Sequence, residues 1–203
     1  MRTAAQPSTR ADTEDAFLDA AERLLIGLGY AGISTRRLAE EAGANHGLVH
    51  YYFGSMENLF VRVLERFTER LIARQREMYA RTDISGAEKW NTAMSFLEAD
   101  LEAGYPKIWL ELQALGWNRP DIAERVAEVN RVWREVLTEA FDRMIDEYGL
   151  DRERMPLPAL VSLAMTFNEG VMVERLSGIS TGHRDLTDMV GRWLGSLEEE
   201  KKR

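Results

Sequence analysis

A short polar and aromatic segment, residues 45–52, carries the side chains of this chain best suited to contact a nucleic acid. These side chains are Asn45, His46, His50, Tyr51 and Tyr52. Tyrosine hydroxyls and groups at the start of a helix commonly bind phosphates, while asparagine and histidine reach base edges. Two arginines, Arg36 and Arg37, precede the segment and add positive charge. The residue types therefore suit contact with double-stranded DNA.

Side chains for catalysis or metal binding are scarce. The chain has no cysteine and only three histidines, His46, His50 and His183. It contains no H-E-x-x-H motif, no glycine-rich phosphate loop, no nucleophile elbow and no Glu-x-x-His pair of a di-iron bundle. We therefore predict a protein that is not an enzyme and needs no metal or cofactor. A helical ligand carrier that does not bind DNA is the alternative, and it leaves the character of residues 45–52 unexplained.

Charge is unevenly distributed along the 203 residues. Residues 1–81 contain 11 basic and 11 acidic side chains, and the remainder contains 15 and 23, which accounts for the whole formal charge of −8. Because phosphate contact depends on local charge, the neutral first part can still approach DNA. The absence of cysteine fits a reducing compartment, and the opening residues lack the apolar core of a signal peptide. We expect a soluble, cytoplasmic protein without a membrane span.

The elements that must position these residues are helices. Apolar residues recur at helical spacing, and no strand pair, hairpin signal or repeat is present. Candidate N-caps for the first five helices are Asp12 or Thr13, Ser34, Asn45, Ser55 and Ser85. Proline and glycine positions predict four more helices, starting near residues 105, 120, 158 and 185. The predicted fold class is all-α.

Residues 34–53 have the layout of a helix-turn-helix. Two short helices joined by Ala42-Gly43-Ala44 follow a longer helix, and the second short helix is the one that would enter the major groove. The predicted core residues of this segment are Leu38, Ala39, Val49 and Phe53. The same geometry occurs in ordinary helix bundles, so the pattern alone leaves DNA binding and simple packing as alternatives.

The run from Gly29 to Phe60, GYAGISTRRLAEEAGANHGLVHYYFGSMENLF, resembles the N-terminal domain of TetR-family transcriptional repressors. Shared features are the Gly-aromatic pair, the Ser/Thr-x-Arg-x-Leu-Ala helix start, the Ala-Gly turn, the aromatic-aromatic-Phe ending and the Ser-x-Glu-x-Leu opening of the next helix. The resemblance implies a helix-turn-helix DNA-binding domain over residues 1–54. It also implies a larger helical ligand-binding and dimerisation bundle over residues 55–203.

The resemblance further implies a homodimer that binds double-stranded operator DNA and is released by a small-molecule inducer. By motif position, the DNA contacts are Thr35, Arg36, Asn45, His46, Gly47, Leu48, His50, Tyr51 and Tyr52. His50 occupies a position usually held by tyrosine. Met56 stands where the family usually has a phosphate-binding lysine, so we expect lower affinity and a weaker salt dependence.

The C-terminal part offers candidate contacts for an apolar or aromatic inducer. An aromatic-lined pocket with a few polar groups would suit such a ligand, although core packing explains the same stripes and is the favoured interpretation for any single residue. The ligand candidates are Trp90, Met94, Leu97, Trp109, Gln113, Trp117, Trp133 and Asn168. Glu169 interrupts the same apolar helix as Asn168 and suits either a ligand pocket or a dimer interface.

The residue patterns of three helices predict a dimer interface and a solvated surface. The eighth helix is apolar nearly all round and the ninth has a stripe of its own, so two helices from each subunit would form a four-helix interface. The interface candidates are Val161, Met165, Met172, Leu186, Met189 and Trp193. On the fourth helix, arginines from Arg62 to Arg74 alternate with glutamates, which predicts a solvated, partly paired face.

Overall fold

The computed structural model describes residues 9–201, whose regular structure is entirely helical. A short 3-10 helix spans Tyr30–Gly32. The α-helices are α1 (Arg10–Leu28), α2 (Thr35–Ala42), α3 (Gly47–Phe53), α4 (Met56–Ala80), α5 (Gly86–Glu102), α6 (Tyr105–Gly116), α7 (Pro120–Tyr148), α8 (Leu157–Leu176) and α9 (His183–Lys201). The all-α prediction is confirmed. We expected no signal peptide at the start of the sequence, and that segment lies almost entirely outside the described residues.

Side-chain caps determine where several helices begin. The predicted caps whose hydroxyl accepts the backbone N–H three residues later are Ser34, Ser55 and Ser85. The cap of α1 is Thr9 rather than Asp12 or Thr13. Thr9 and Asp12 form a reciprocal capping box, with hydrogen bonds of 3.0 and 3.1 Å. Asp12 therefore lies inside the first turn, where a carboxylate also complements the helix dipole.

Two glycines end helices where a side chain would be strained. Gly29 follows α1 with φ of 75°, and a Cβ at this position would lie 2.5 Å from Glu111 Oε1. Gly43 follows α2 in the left-handed conformation, with φ of 65° and ψ of 30°, which reverses the chain toward α3. Both positions thus require the conformational freedom of glycine.

The described chain packs as two compact units. Unit 1 contains the residues up to 69 together with residues 107–129, and unit 2 contains residues 70–106 and those from 130 onward. The largest fully buried side chains of unit 1 are Phe17, Leu25, Leu38, Leu59, Phe60, Leu64, Ile108, Leu112 and Ile122. Buried apolar residues of unit 2 include Ile72, Ala93, Val136, Ile145, Val161 and Leu194. The predicted boundary between a DNA-binding domain and a ligand-binding domain, at residues 54 and 55, rests on the family resemblance and not on packing. It stays a prediction.

A spanning helix needs about 20 predominantly apolar residues. Within residues 9–201, no helix is both long enough and apolar enough to cross a membrane.

Candidate nucleic-acid interface

The α2–α3 segment has the geometry of a helix-turn-helix. After Gly43, the Asn45 Oδ1 atom accepts a hydrogen bond from the N–H of Gly47 at 2.9 Å, which orders the turn into α3. The residue directly before α3 is His46, whose side chain makes no capping bond. The predicted start of α3 is therefore displaced by one residue, while Asn45 still satisfies an N–H at its beginning.

One face of this segment is core and the other is exposed. The four predicted core residues, Leu38, Ala39, Val49 and Phe53, are buried. Phe53 meets Phe17 of α1 edge-on, with ring centroids 6.2 Å apart. Among the predicted DNA contacts, the exposed ones are Arg36, Asn45, His46, Gly47, His50 and Tyr51, and the half-buried ones are Thr35, Leu48 and Tyr52. Each predicted contact thus retains accessible surface above an apolar layer.

The first residue of α1 adds a positive charge beside α3. The Arg10 guanidinium carbon lies 5.6 Å from the ring centroid of Tyr51 and 5.7 Å from that of Tyr52, which is within cation–π range. The two tyrosine rings meet edge-on with centroids 5.1 Å apart. Two phenols held beside a cation are well suited to a phosphate. Sequence reasoning misses Arg10 because no local pattern links it to α3.

His50 has one ring nitrogen committed within the protein. Its Nδ1 atom lies 2.9 Å from the carbonyl oxygen of Gly54, and because a carbonyl only accepts, Nδ1 carries the hydrogen. Nε2 is then the ring atom left for an external partner, and in a neutral ring it is an acceptor. A neutral His50 therefore suits a base amino group better than a phosphate.

Arg36, one of the predicted DNA contacts, forms an exposed ion pair on α2. Its Nε atom lies 3.1 Å from Glu40 Oε1, and the two side chains are 88% and 66% exposed. Exposed pairs of this kind contribute little to stability. Exchanging Glu40 for a phosphate therefore costs little, so Arg36 remains available to a DNA backbone.

Two side chains of α6 hold the end of α1 within unit 1. Glu111 Oε2 accepts a hydrogen bond from the N–H of Tyr30 at 2.5 Å. One turn earlier on α6, Lys107 Nζ donates to the carbonyl oxygen of Ile26 at 2.9 Å. The Lys107 contact satisfies a carbonyl that the C-terminal end of α1 leaves unpaired, and the Glu111 contact satisfies the N–H of the first residue of the 3-10 helix. Because this junction leads directly into α2, α6 helps to position the helix-turn-helix.

Tyr30 joins the same junction to α4. Its ring meets Phe60 edge-on at a centroid distance of 5.5 Å, and its hydroxyl donates to Glu57 Oε1 at 3.3 Å. Burial and the neighbouring Glu57 carboxylate raise the pKa of Tyr30. The backbone N–H of Glu57 at the start of α4, followed by the hydroxyls of Ser55 and Tyr30, lowers the pKa of Glu57. Gly29 and Tyr30, the Gly-aromatic pair of the sequence, thus each have a physical role in this junction.

The predicted solvated face of α4 is corrected for two of its arginines. Arg66 reaches α1, where its Nη2 atom lies 2.7 Å from Asp19. Arg74 binds both carboxylate oxygens of Asp100 on α5 at 2.8 Å. The acidic partners lie on other helices, and the periodicity of α4 alone cannot reveal them.

The predicted ligand contacts are distributed over both units. Those in unit 1 are Trp109, Gln113 and Trp117, and those in unit 2 are Trp90, Met94, Leu97, Trp133 and Asn168. The Trp90 indole N–H donates to the carbonyl oxygen of Thr187 at 2.9 Å, which ties α5 to α9. Trp117 is 78% exposed at the end of α6, whereas Trp109 is buried. The inducer contacts stay predictions.

Exposed apolar side chains of the described residues are concentrated on α8, α9 and the loop between them. The predicted interface residues Leu186, Met189 and Trp193 are exposed, and Met165 is half-buried. Val161 and Met172 are buried at 3% and 7% exposure because they lie on the inner face of α8. Their assignment to an interface stays a prediction, as does that of the other four candidates. Leu163, at 68% exposure, and Val173 lie on the outer face instead.

A family-level comparison matches the region just described. Residues 17–63 fit the sequence model of the family described as bacterial regulatory proteins, tetR family. This stretch runs from α1 into α4 and includes every predicted DNA contact. The comparison and the helix-turn-helix geometry therefore identify the same part of the chain.

Similar proteins extend over most of the chain. The HTH-type transcriptional repressor AcnR of Corynebacterium glutamicum is 24% identical over 175 residues, covering 86% of this chain and 88% of the relative. A TetR transcription regulator from Haloarcula marismortui has a TM-score of 0.73 at 19% identity, covering 91% of this chain and 96% of its own. FadR from Bacillus subtilis in complex with stearoyl-CoA has a TM-score of 0.70 at 16% identity, covering 89% and 96%. The two solved structures share the fold of this chain.

Proposed function

We propose that this chain is a DNA-binding transcriptional regulator of the TetR family, and that it acts as a homodimeric repressor that an apolar or aromatic small molecule releases from its operator. The observation that supports the proposal most directly is the exposed face of α3 above a buried apolar layer. Packing does not explain why asparagine, histidine and tyrosine share that face. Phosphate and base recognition does.

The α3 face divides by chemistry into two kinds of DNA contact. Tyr51 and Tyr52, next to the Arg10 cation, would bind phosphates, together with Thr35 and Arg36 at the start of α2. The contacts to base edges would come from the beginning of α3, from Asn45, His46, Gly47 and Leu48, with His50 as an acceptor for a base amino group. Phosphate contacts set affinity and register, while base contacts set sequence preference.

A twofold dimer would place two copies of α3 on one duplex. The outer faces of α8 and α9 carry Leu163, Val173, Leu186, Met189 and Trp193, which water solvates poorly. Covering them with the same surface of a second copy gives an isologous interface. Two recognition helices related in this way read half-sites about one helical turn apart, or a multiple of that.

Release requires that the ligand prefer the conformation that does not bind operator. The ligand then lowers operator affinity, and operator lowers ligand affinity by the same factor. The eight predicted ligand contacts, of which four are tryptophans, favour an apolar or aromatic compound. The stearoyl-CoA complex of FadR, a protein of this fold, supports the idea that such a bundle accommodates a long apolar chain.

A gel-shift titration with the DNA flanking the protein's own gene tests the proposal. We expect one twofold-symmetric site to bind more tightly than a scrambled duplex. Compounds that raise the thermal midpoint of the protein should displace that site and quench tryptophan emission. Failure of the protein to bind any duplex would overturn the proposal and favour a ligand carrier.

A further inference from the structure

The inner face of α4 in unit 2 contains a buried amide. Leu71, Ile72 and Met78 are buried along this part of the helix. Gln75 lies in the same register, one turn after Leu71, and is only 8% exposed. A glutamine with nine-tenths of its surface buried among apolar residues is unusual, because its amide loses the hydrogen bonds that water provides.

The Gln75 amide does not recover those hydrogen bonds within the protein. Its Oε1 atom is buried and accepts no hydrogen bond. Leaving a buried acceptor unpaired destabilises a fold, and such groups are few in native proteins. A leucine or methionine would fill the same position without this penalty. The amide therefore needs a reason other than stability.

Tyr79 places a second polar group on the same face. Residues four apart lie above one another on a helix, so the side chains of Gln75 and Tyr79 are neighbours on α4. Burial alone raises the pKa of Tyr79 to about 12, with no hydrogen bond or charge contributing. The phenol consequently stays neutral under physiological conditions and keeps both a donor and an acceptor.

The charges on this stretch of α4 are already balanced or exposed. The Arg74 guanidinium binds both oxygens of Asp100 at 2.8 Å and lies 4.1 Å from the ring centroid of Phe96. Its Nε–H is buried and unpaired, so the pair keeps one free donor but no free charge. Arg76 and Glu77 are exposed. An ionic ligand would lose its hydration here without gaining a counter-charge.

We propose that Gln75 and Tyr79 form the polar anchor of a small-molecule site in unit 2, and that its ligand is an uncharged molecule with an apolar body and one hydroxyl or N–H donor. The ligand would donate to Gln75 Oε1 and accept from the Tyr79 hydroxyl, while Leu71, Ile72 and Met78 contact its apolar body. The inference rests on the proposed ligand-responsive function and names the chemical class of its ligand. Sequence reasoning misses both anchors, although a glutamine in the core register of a helix is a signal that it could use.

The first test needs no ligand. In the full-length protein, Gln75→Met and Tyr79→Phe should leave the thermal midpoint unchanged or raise it, because neither group is paired. Tyr148→Phe is the matched control, since its hydroxyl accepts from the Gly86 N–H at 2.9 Å and donates to Glu198 at 3.1 Å. This control should lower the midpoint. A fall for Gln75→Met as large as that for Tyr148→Phe would overturn the inference, because the amide would then be paired.

The second test uses two matched sets of probes. One set is octanol, octyl methyl ether and octanoate, and the other is β-naphthol, its methyl ether and β-naphthoate. Titration calorimetry should show that at least one alcohol binds about tenfold more tightly than its ether and its anion. Gln75→Met should remove that preference and leave the affinity for the ether unchanged. Equal affinities within both sets, tightest binding of an anion, or no binding of either alcohol would overturn the inference.

Operator titrations separate this inference from the proposed function. If an alcohol binds through Gln75 but leaves operator affinity unchanged, the anchor stands and ligand-induced release fails. Another compound could release the operator and bind the Gln75→Met variant as tightly as it binds the parent protein. Ligand-induced release would then stand, and the assignment of Gln75 and Tyr79 as the anchor would be wrong.

Discussion

At the scale of single residues, phosphate and base contacts of α3 should be separable. Tyr51 is 67% exposed, and Tyr51→Phe removes one hydroxyl that we assign to a phosphate. This variant should weaken binding to operator and random duplex alike, by about 1 kcal/mol. His46→Ala, at the start of α3, should weaken binding to the operator more than to the random duplex. Anisotropy titrations of both duplexes measure the two losses.

The matched control for this comparison is Tyr148→Phe, the same change in unit 2. It should leave both DNA affinities unchanged, and circular dichroism should show unchanged helicity for the α3 variants. Equal losses on both duplexes for Tyr51→Phe and His46→Ala would contradict the assignment of base contacts.

Met56 gives a second prediction at this scale. It is the first residue of α4 and is half-buried, and lysine is usual there in the family that the sequence resembles. Met56→Lys should add one phosphate contact, raise affinity for every duplex, and steepen the slope of log K against log salt by about one. Met56→Gln is a neutral control of similar length. An unchanged slope for the lysine variant would show that this position does not reach the DNA backbone.

At the scale of elements, α6 should stabilise the junction that leads into α2. Glu111→Ala removes the acceptor of the Tyr30 N–H, so the free energy of unfolding should fall by about 1–2 kcal/mol. Glu124→Ala, an exposed glutamate on α7 of the same unit, is the control and should change it much less. Urea denaturation measures both variants. Equal values for the two would mean that the α6 contact does not stabilise the fold.

The start of α4 should contribute to the acid sensitivity of the fold. The pKa of Glu57 is lowered in the folded protein, chiefly by its backbone N–H. Its contribution to stability is therefore present above the ordinary glutamate pKa and is lost as pH falls through the lower folded-state value. The stability difference between the parent and Glu57→Gln should shrink on acidification from neutral pH. A difference that stays constant in urea titrations below the ordinary glutamate pKa would contradict the prediction.

At the scale of the whole molecule, the outer face of α8 should control assembly. Leu163→Glu places a charge on this face, so light scattering at micromolar protein should shift from dimer toward monomer. Operator affinity should fall with it, because only a dimer engages both half-sites. Thr138→Glu, on an exposed position of α7, should change neither quantity. A parent protein that is a stable monomer at micromolar concentration would refute this arrangement.

The sequence by itself determined the helices and the location of the DNA-binding segment, because their causes are local. A capping bond joins residues three apart, as Ser34 and Ser85 show, and apolar spacing defines the buried face of α3. The motif that resembles TetR-family repressors is contiguous, so its residues needed no knowledge of packing. The caps of α1 and α3 were exceptions. The reciprocal bond with Asp12 selected Thr9 for α1 in place of Asp12 or Thr13, and α3 is preceded by His46 in place of Asn45.

Tertiary structure decided everything that depends on a distant partner. Tyr30 and Glu111 are 81 residues apart in sequence, and Arg10 meets α3 only because α1 packs against it. Val161 is buried on the inner face of α8, and Gln75 became conspicuous only through burial without a partner. Periodicity identifies the apolar face of a helix. Which helix covers that face, and which polar group is left unpaired beneath it, depends on how the whole chain packs.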